Sequence, residues 1–221
     1  MSLIPKPRIL RSNRQSLSLQ VTQSGEVIVK APRFLPGFLI QQFLHTKTAW
    51  ITQALQKVQN KQKKGKTYKE GETFLYLGKP YTLQLIGGIT ISLQENALFF
   101  PKVLLFRAQK ELTDWYMRQA KELVMQRLVY HAEKMEVSYK AVLFSDTKSK
   151  WGTCFADNSL QFNWRLIMTP LMVLDYVVIH ELTHVTHKNH GDSFWRRVRL
   201  FTPAYKQHRK WLSSNAHLLE I

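Results

Sequence analysis

The sequence predicts an α+β chain, on three patterns. Apolar and polar residues alternate with period two at several places in residues 16–100. A run over 107–138 has helical spacing with neither glycine nor proline, and a second helical run opens at Pro170. At 221 residues the chain is long enough to bury a full core, and 44% hydrophobic with 12% aromatic residues excludes a disordered polymer.

In order, residues 16–22 and 26–30 alternate on either side of Gln23-Ser24-Gly25 and read as a β-hairpin. Pro32, Pro36 and Gly37 interrupt that pattern. Leu39, Phe43, Trp50, Ile51, Leu55 and Val58 then fall largely at helical spacing, predicting one amphipathic helix over 38–58. Lys61, Lys63, Lys64 and Lys66 surround Gly65 in an exposed connection. Short apolar stretches over 74–77, 81–86, 89–93 and 98–100, separated by Gly78, Pro80, Gly87 and Gly88, predict a small antiparallel sheet. A boundary near Pro101 then divides the chain into a β-rich amino-terminal region with one helix, 1–104, and a core, 105–221.

Within that core, 107–138 is one long helix whose charged residues face solvent, with His131 and Glu133 in structural roles. Residues 141–144 and 159–163 read as strands flanking 148–154. A strand just before the following helix could offer a free edge to an extended peptide. Trp151, Gly152 and Thr153 are the candidates to line such a substrate, Gly152 permitting close approach. Thr169-Pro170 predicts a helix start as N-cap and N1, and Asn189 with Gly191 a stop. Asp192 or Ser193 can cap a helix to Phe201, and Thr202-Pro203 opens the last one.

The helix from Pro170 is almost continuously apolar up to His180-Glu181-Leu182-Thr183-His184, apart from Asp175. Residues four apart on a helix lie one above the other, about 6 Å apart along the axis, so His180 and His184 can close on one Zn²⁺. Glu181 is placed to act as general base toward a water. Two residues compete as third ligand. His187 shares the face, but on a straight helix its Cα lies about 10 Å along the axis from that of His180. His190 lies beyond the helix stop, where a turn can fold its ring back, and is the favoured ligand.

The run H-E-L-T-H-V-T-H-K-N-H-G-D-S-F-W resembles the YgjP-like zinc metallopeptidase family and, more distantly, the SprT-like proteases. Lys150-Trp151-Gly152-Thr153-Cys154, then Asn163-Trp164-Arg165-Leu166, Pro170 and Asp175-Tyr176-Val177-Val178, resemble that family's signals in the same order. Lys150 and Thr153 stand where Arg and Ser are commoner. The resemblance implies a zincin-like metallopeptidase core carrying the HExxH helix, one zinc ion and a protein or peptide substrate. A metzincin pattern is disfavoured, because it requires glycine where His187 stands. Tyr205, His208 and Arg209 are the candidates to steady an oxyanion.

One cysteine, Cys154, permits no internal disulfide, and no segment approaches the roughly 20 apolar residues of a membrane span, so a cytoplasmic protein is expected. Thirty-two Lys plus Arg against 15 Asp plus Glu give a formal charge of +17, a field that could dock nucleic acid through the basic surface. The alternative readings are therefore a nucleic-acid-associated zinc module, including a protease of DNA-bound proteins, and a zinc hydrolase of non-peptide amides. Structural zinc usually takes four protein ligands, and no fourth Cys or His is in an obvious place, which disfavours the first.

Overall fold

The computed structural model describes residues 5–22, 25–62, 66–147 and 149–221, without the side chains of 57 and 59–62. Much of the lysine-rich connection, and the hairpin turn at Gln23-Ser24, lie outside the described residues. The architecture is α+β, as the sequence predicts, and the chain forms two compact units, Met1–Lys66 and Thr67–Ile221.

The first unit holds strands β1 (Arg8–Ser12), β2 (Ser18–Val21) and β3 (Val27–Pro32) in the order β1-β3-β2. β2 and β3 form the expected antiparallel hairpin, Leu19 opposite Val29 and Val21 opposite Val27. β1 joins β3 in parallel, and all five of its residues are exposed. With no buried face it has no alternation to read, which is why the sequence analysis passed over it. The single predicted helix is two, α1 (Gly37–Thr46) and α2 (Thr48–Gln62), separated at Lys47. The Lys47 N–H still bonds the Phe43 and Leu44 carbonyls, so the break leaves that donor satisfied and needs neither Gly nor Pro. Val29, Ala31 and Ile40 form the core between sheet and helix.

The second unit begins with a sheet of β4 (Thr73–Tyr76), β5 (Lys79–Ile86), β6 (Ser92–Gln94) and β7 (Ala97–Pro101), ordered β4-β5-β7-β6. It is mixed rather than antiparallel. β4/β5 and β6/β7 are hairpins, but the central pair β5/β7 is parallel, because β6 lies on the outer side of β7. This sheet, grouped by sequence with the amino-terminal region, packs on the first half of α3 (Ala108–Met135) through Phe74, Leu83, Leu98, Leu112 and Tyr116. It also braces the approach to the next helix. The Leu77 and Gly78 amides donate to the Ile167 and Met168 carbonyls at 2.8 and 3.0 Å. Gly78 has φ +75°, and a Cβ there would lie 2.7 Å from Pro170 Cγ, so only glycine fits.

Three strands then form a second sheet, β8 (Val142–Ser145), β9 (Gly152–Cys154) and β10 (Leu160–Asn163), in the order β8-β10-β9. A 3₁₀ turn, Trp164–Met168, leads to α4 (Leu171–Thr186), followed by α5 (Asp192–Phe201) and α6 (Tyr205–Asn215). α4 starts one residue later than predicted, with Pro170 as N-cap, while the Thr169 hydroxyl turns back to the Leu166 carbonyl at 2.8 Å. Ten of its sixteen residues are buried, as expected of a helix packed on several sides, here by α3, β9, α5 and α6. Each large apolar side chain so buried, Leu174, Val178 and Leu182 among them, contributes about 1.5–3 kcal/mol.

Asp175, the one charge in the apolar run, is satisfied from α3. Arg127 Nε and Nη2 hold its two oxygens at 2.6 and 2.8 Å, and His131 Nε2 lies 3.2 Å from Oδ1. Burial alone would raise the Asp175 pKa; the hydrogen bonds from His131 and Arg127 outweigh it and hold the carboxyl below its ordinary value. His131 therefore has a structural role, pinning α3 to the middle of α4. No helix among the described residues is long and apolar enough to cross a membrane.

Candidate metal centre

The last turns of α4 carry His180, Glu181 and His184, and the chain then turns sharply. Helical geometry ends at Thr186, three residues before Asn189, because His187 adopts extended angles, φ −126° and ψ 90°. This early exit lets 188–190 double back. His190 Nε2 lies 3.1 Å from the Nε2 atoms of both His184 and His180, and the three rings each offer a potential ligand nitrogen within 4.8 Å of the others.

Tetrahedral zinc bonds of 2.0–2.1 Å place neighbouring donors about 3.3 Å apart, close to the two 3.1 Å separations that His190 makes. Electrostatics agrees. His184 Nδ1 donates to the His187 carbonyl at 3.0 Å, since a carbonyl can only accept, and the neutral ring therefore directs its Nε2 lone pair at His190. Burial first, then the neighbouring His184, His190 and Arg209, pushes the His180 pKa down to about 3. Burial also lowers that of His184, against the pull of the His187 carbonyl. Three imidazole nitrogens gathered this closely could hold a dication.

α5 supplies the wall. Phe194, fully buried, places its ring 4.9, 4.5 and 4.7 Å from those of His180, His184 and His190. Trp195 stacks on His190 at 5.6 Å and on Tyr205 at 5.2 Å. His187, the rival ligand, turns its own Nδ1 to the Thr186 hydroxyl at 2.8 Å; its contribution to the cluster is its backbone carbonyl, which residue type does not reveal.

Glu181 is 5% exposed and lies against β9. A Cβ on Gly152 would be 2.6 Å from both Glu181 Cγ and Oε1, so glycine at this position makes room for the carboxylate. Burial pushes the Glu181 carboxyl up to about 8, opposed by the Cys154 amide and the Lys150 charge. β9 is an edge strand that pairs only with β10 among the described residues, whereas β10, the strand immediately before α4, is paired on both sides and has no free edge. The edge beside the site is thus that of 152–154. Cys154 shows no sign of activation, since burial raises its thiol pKa more than the nearby Lys188 lowers it.

A pocket of about 350 Å³ opens beside His180 and Glu181, lined also by Lys150, Trp151, Gly152, Tyr176 and Arg209. Of the three oxyanion candidates only Arg209 borders it. Tyr205 is buried beneath Trp195, and His208 has its ring 6.2 Å from that of Tyr176. Thr153 turns its hydroxyl to the Gly152 carbonyl at 2.8 Å. Lys150 and Tyr176 stand in the sequence only as positions of the resembling segments, since neither lies at ligand spacing, and tertiary folding brings both to the pocket.

A family model described as YgjP-like, metallopeptidase domain, matches residues 15–215. No curated protein and no solved structure matches the chain.

Proposed function

The chain belongs to the YgjP-like metallopeptidase family, and from that premise we propose that it is a zinc-dependent peptidase whose metal is held by His180, His184 and His190. The observation that carries this reading is the convergence of three Nε2 atoms at one point, with a buried carboxylate on the residue after the first of them. A zinc ion bound there would supply a Lewis acid, acidifying water and polarising a carbonyl. Glu181 takes the proton of the attacking water on a carboxylate oxygen and returns it to the leaving amine. The wall of Phe194 and Trp195 fixes the imidazoles, so little rearrangement is required when the metal binds. An extended substrate adds to the unpaired edge of β9, which lies against Glu181, and its side chains fall alternately toward and away from the pocket.

The reading is tested by metal content together with cleavage. Purified chain is expected to carry about one zinc ion, to cleave casein or itself, and to lose that activity on chelation and regain it with zinc. Metal-loaded protein that cleaves neither would refute it. A second expectation concerns Gly152. Gly152→Ala should retain zinc but lower turnover on the order of 10²-fold, because the new methyl displaces Glu181 while leaving the imidazoles untouched. Casein cleavage at the unsubstituted rate would mean that Glu181 tolerates a shift no general base could.

A further inference from the structure

The pocket beside Glu181 has a charge pattern that the hydrolytic chemistry does not use. It brings two cations, Lys150 from the approach to β9 and Arg209 from α6, to a wall that includes the apolar Val177 and Leu212 beside Ser213. Glu181 is the only carboxylate lining it, and that side chain is buried against Gly152. Both cations are exposed, and among the described residues neither has a carboxylate within 4.0 Å.

Arg209 is held in position without being neutralised. Its guanidinium carbon lies over the Trp195 ring, 5.7 Å from the centroid, and Trp195 in turn stacks on Tyr205 and on His190. A planar guanidinium with free N–H groups matches a carboxylate bidentately, and a lysine in the same pocket adds a point charge. The apolar wall suits a short methylene stem. At about 350 Å³ the space is at the lower end of small-ligand pockets, enough for one side chain and its water.

Building on the peptidase reading, we infer that this pocket selects substrates carrying a carboxylate close to the scissile bond, taken by Arg209 with Lys150 lining the same pocket. The carboxylate can come from a Glu or Asp side chain or from the peptide's own carboxyl terminus, and both share the chemistry the pocket recognises. Arg209 then serves substrate binding rather than the oxyanion.

Binding is measured on zinc-loaded Glu181→Gln protein, which holds peptide without turning it over, by fluorescence of the tryptophans beside the site. Four peptides suffice: acetylated and amidated with an internal Glu, the same with Gln, and the Gln peptide as free acid and with a second neutral spacer before its amide. A carboxylate-bearing peptide, internal or terminal, should bind about tenfold or more tightly than its neutral match, with the advantage shrinking at high salt. Adding Arg209→Gln should bring the ratio toward one, and Lys150→Gln should reduce it in part. Equal affinities for all four peptides on the parent protein would overturn the inference, as would a ratio unmoved by Arg209→Gln. Cleavage by unsubstituted protein is scored separately. A carboxylate preference without any cleavage would uphold the pocket and sink the peptidase reading, whereas cleavage with no preference would do the reverse.

Discussion

Glu181→Gln should abolish most turnover while leaving zinc bound. Glutamine has nearly the same volume, so it can occupy the space Gly152 provides, and the three imidazoles are untouched. What it loses is the ability to accept a proton, a contribution of roughly 10²–10⁴-fold in rate for a positioned general base. The location of Glu181 makes the upper part of that range the expectation. At 5% exposure its carboxylate exchanges little with solvent, so no bulk water can stand in for it as base. Without metal, burial pushes its pKa up to about 8, and a dication held by the neighbouring histidines favours the anion, the form that accepts protons. The measurement is casein turnover alongside zinc per chain. Turnover within a few-fold of the parent, at equal zinc, would remove Glu181 from the mechanism.

Much of the candidate centre was legible in the sequence because His180, Glu181 and His184 sit on one helix, where a spacing of four gives the two histidines a shared face. His190 was favoured for a different reason: on a straight helix His187 would lie far along the axis from His180, whereas a residue beyond the helix stop could return. What residue type could not reveal was tertiary. The His187 carbonyl orients His184, yet any residue carries a carbonyl. The free edge beside the site belongs to β9 and not to β10, since strand order depends on which neighbours pair. In the fold, the parallel β5/β7 pair and the break at Lys47 escaped the sequence analysis because neither needs a distinctive residue. The four-stranded sheet was assigned to the amino-terminal region by its position along the chain, whereas its apolar side chains pack on α3 and the 3₁₀ turn before α4. The charge of +17 remains the part of the sequence with least structural outcome. Much of the lysine-rich stretch lies outside the described residues, and two of the cations that are described line the pocket beside Glu181.

His190→Ala should release zinc, and His187→Ala should not. The two residues lie three apart, both are histidines, and both are close to His184, so the pair isolates ligation from mere proximity. His190 supplies the nitrogen that lies 3.1 Å from both other donors; without it two imidazoles remain, and a two-ligand site falls short of the three protein ligands of a catalytic zinc centre. Loss of even an outer hydrogen bond costs roughly 10–100-fold in metal affinity, and loss of a ligand should cost more. Zinc per chain after dialysis should therefore fall from about one toward zero, and turnover with it. His187 differs because its ring faces the Thr186 hydroxyl and only its carbonyl reaches His184, and alanine keeps that carbonyl in place. Its zinc content should match the parent, with turnover within a few-fold. Were zinc lost from the His187 variant and kept by the His190 variant, the third ligand would have to be reassigned, and the doubling back of 188–190 would need another purpose.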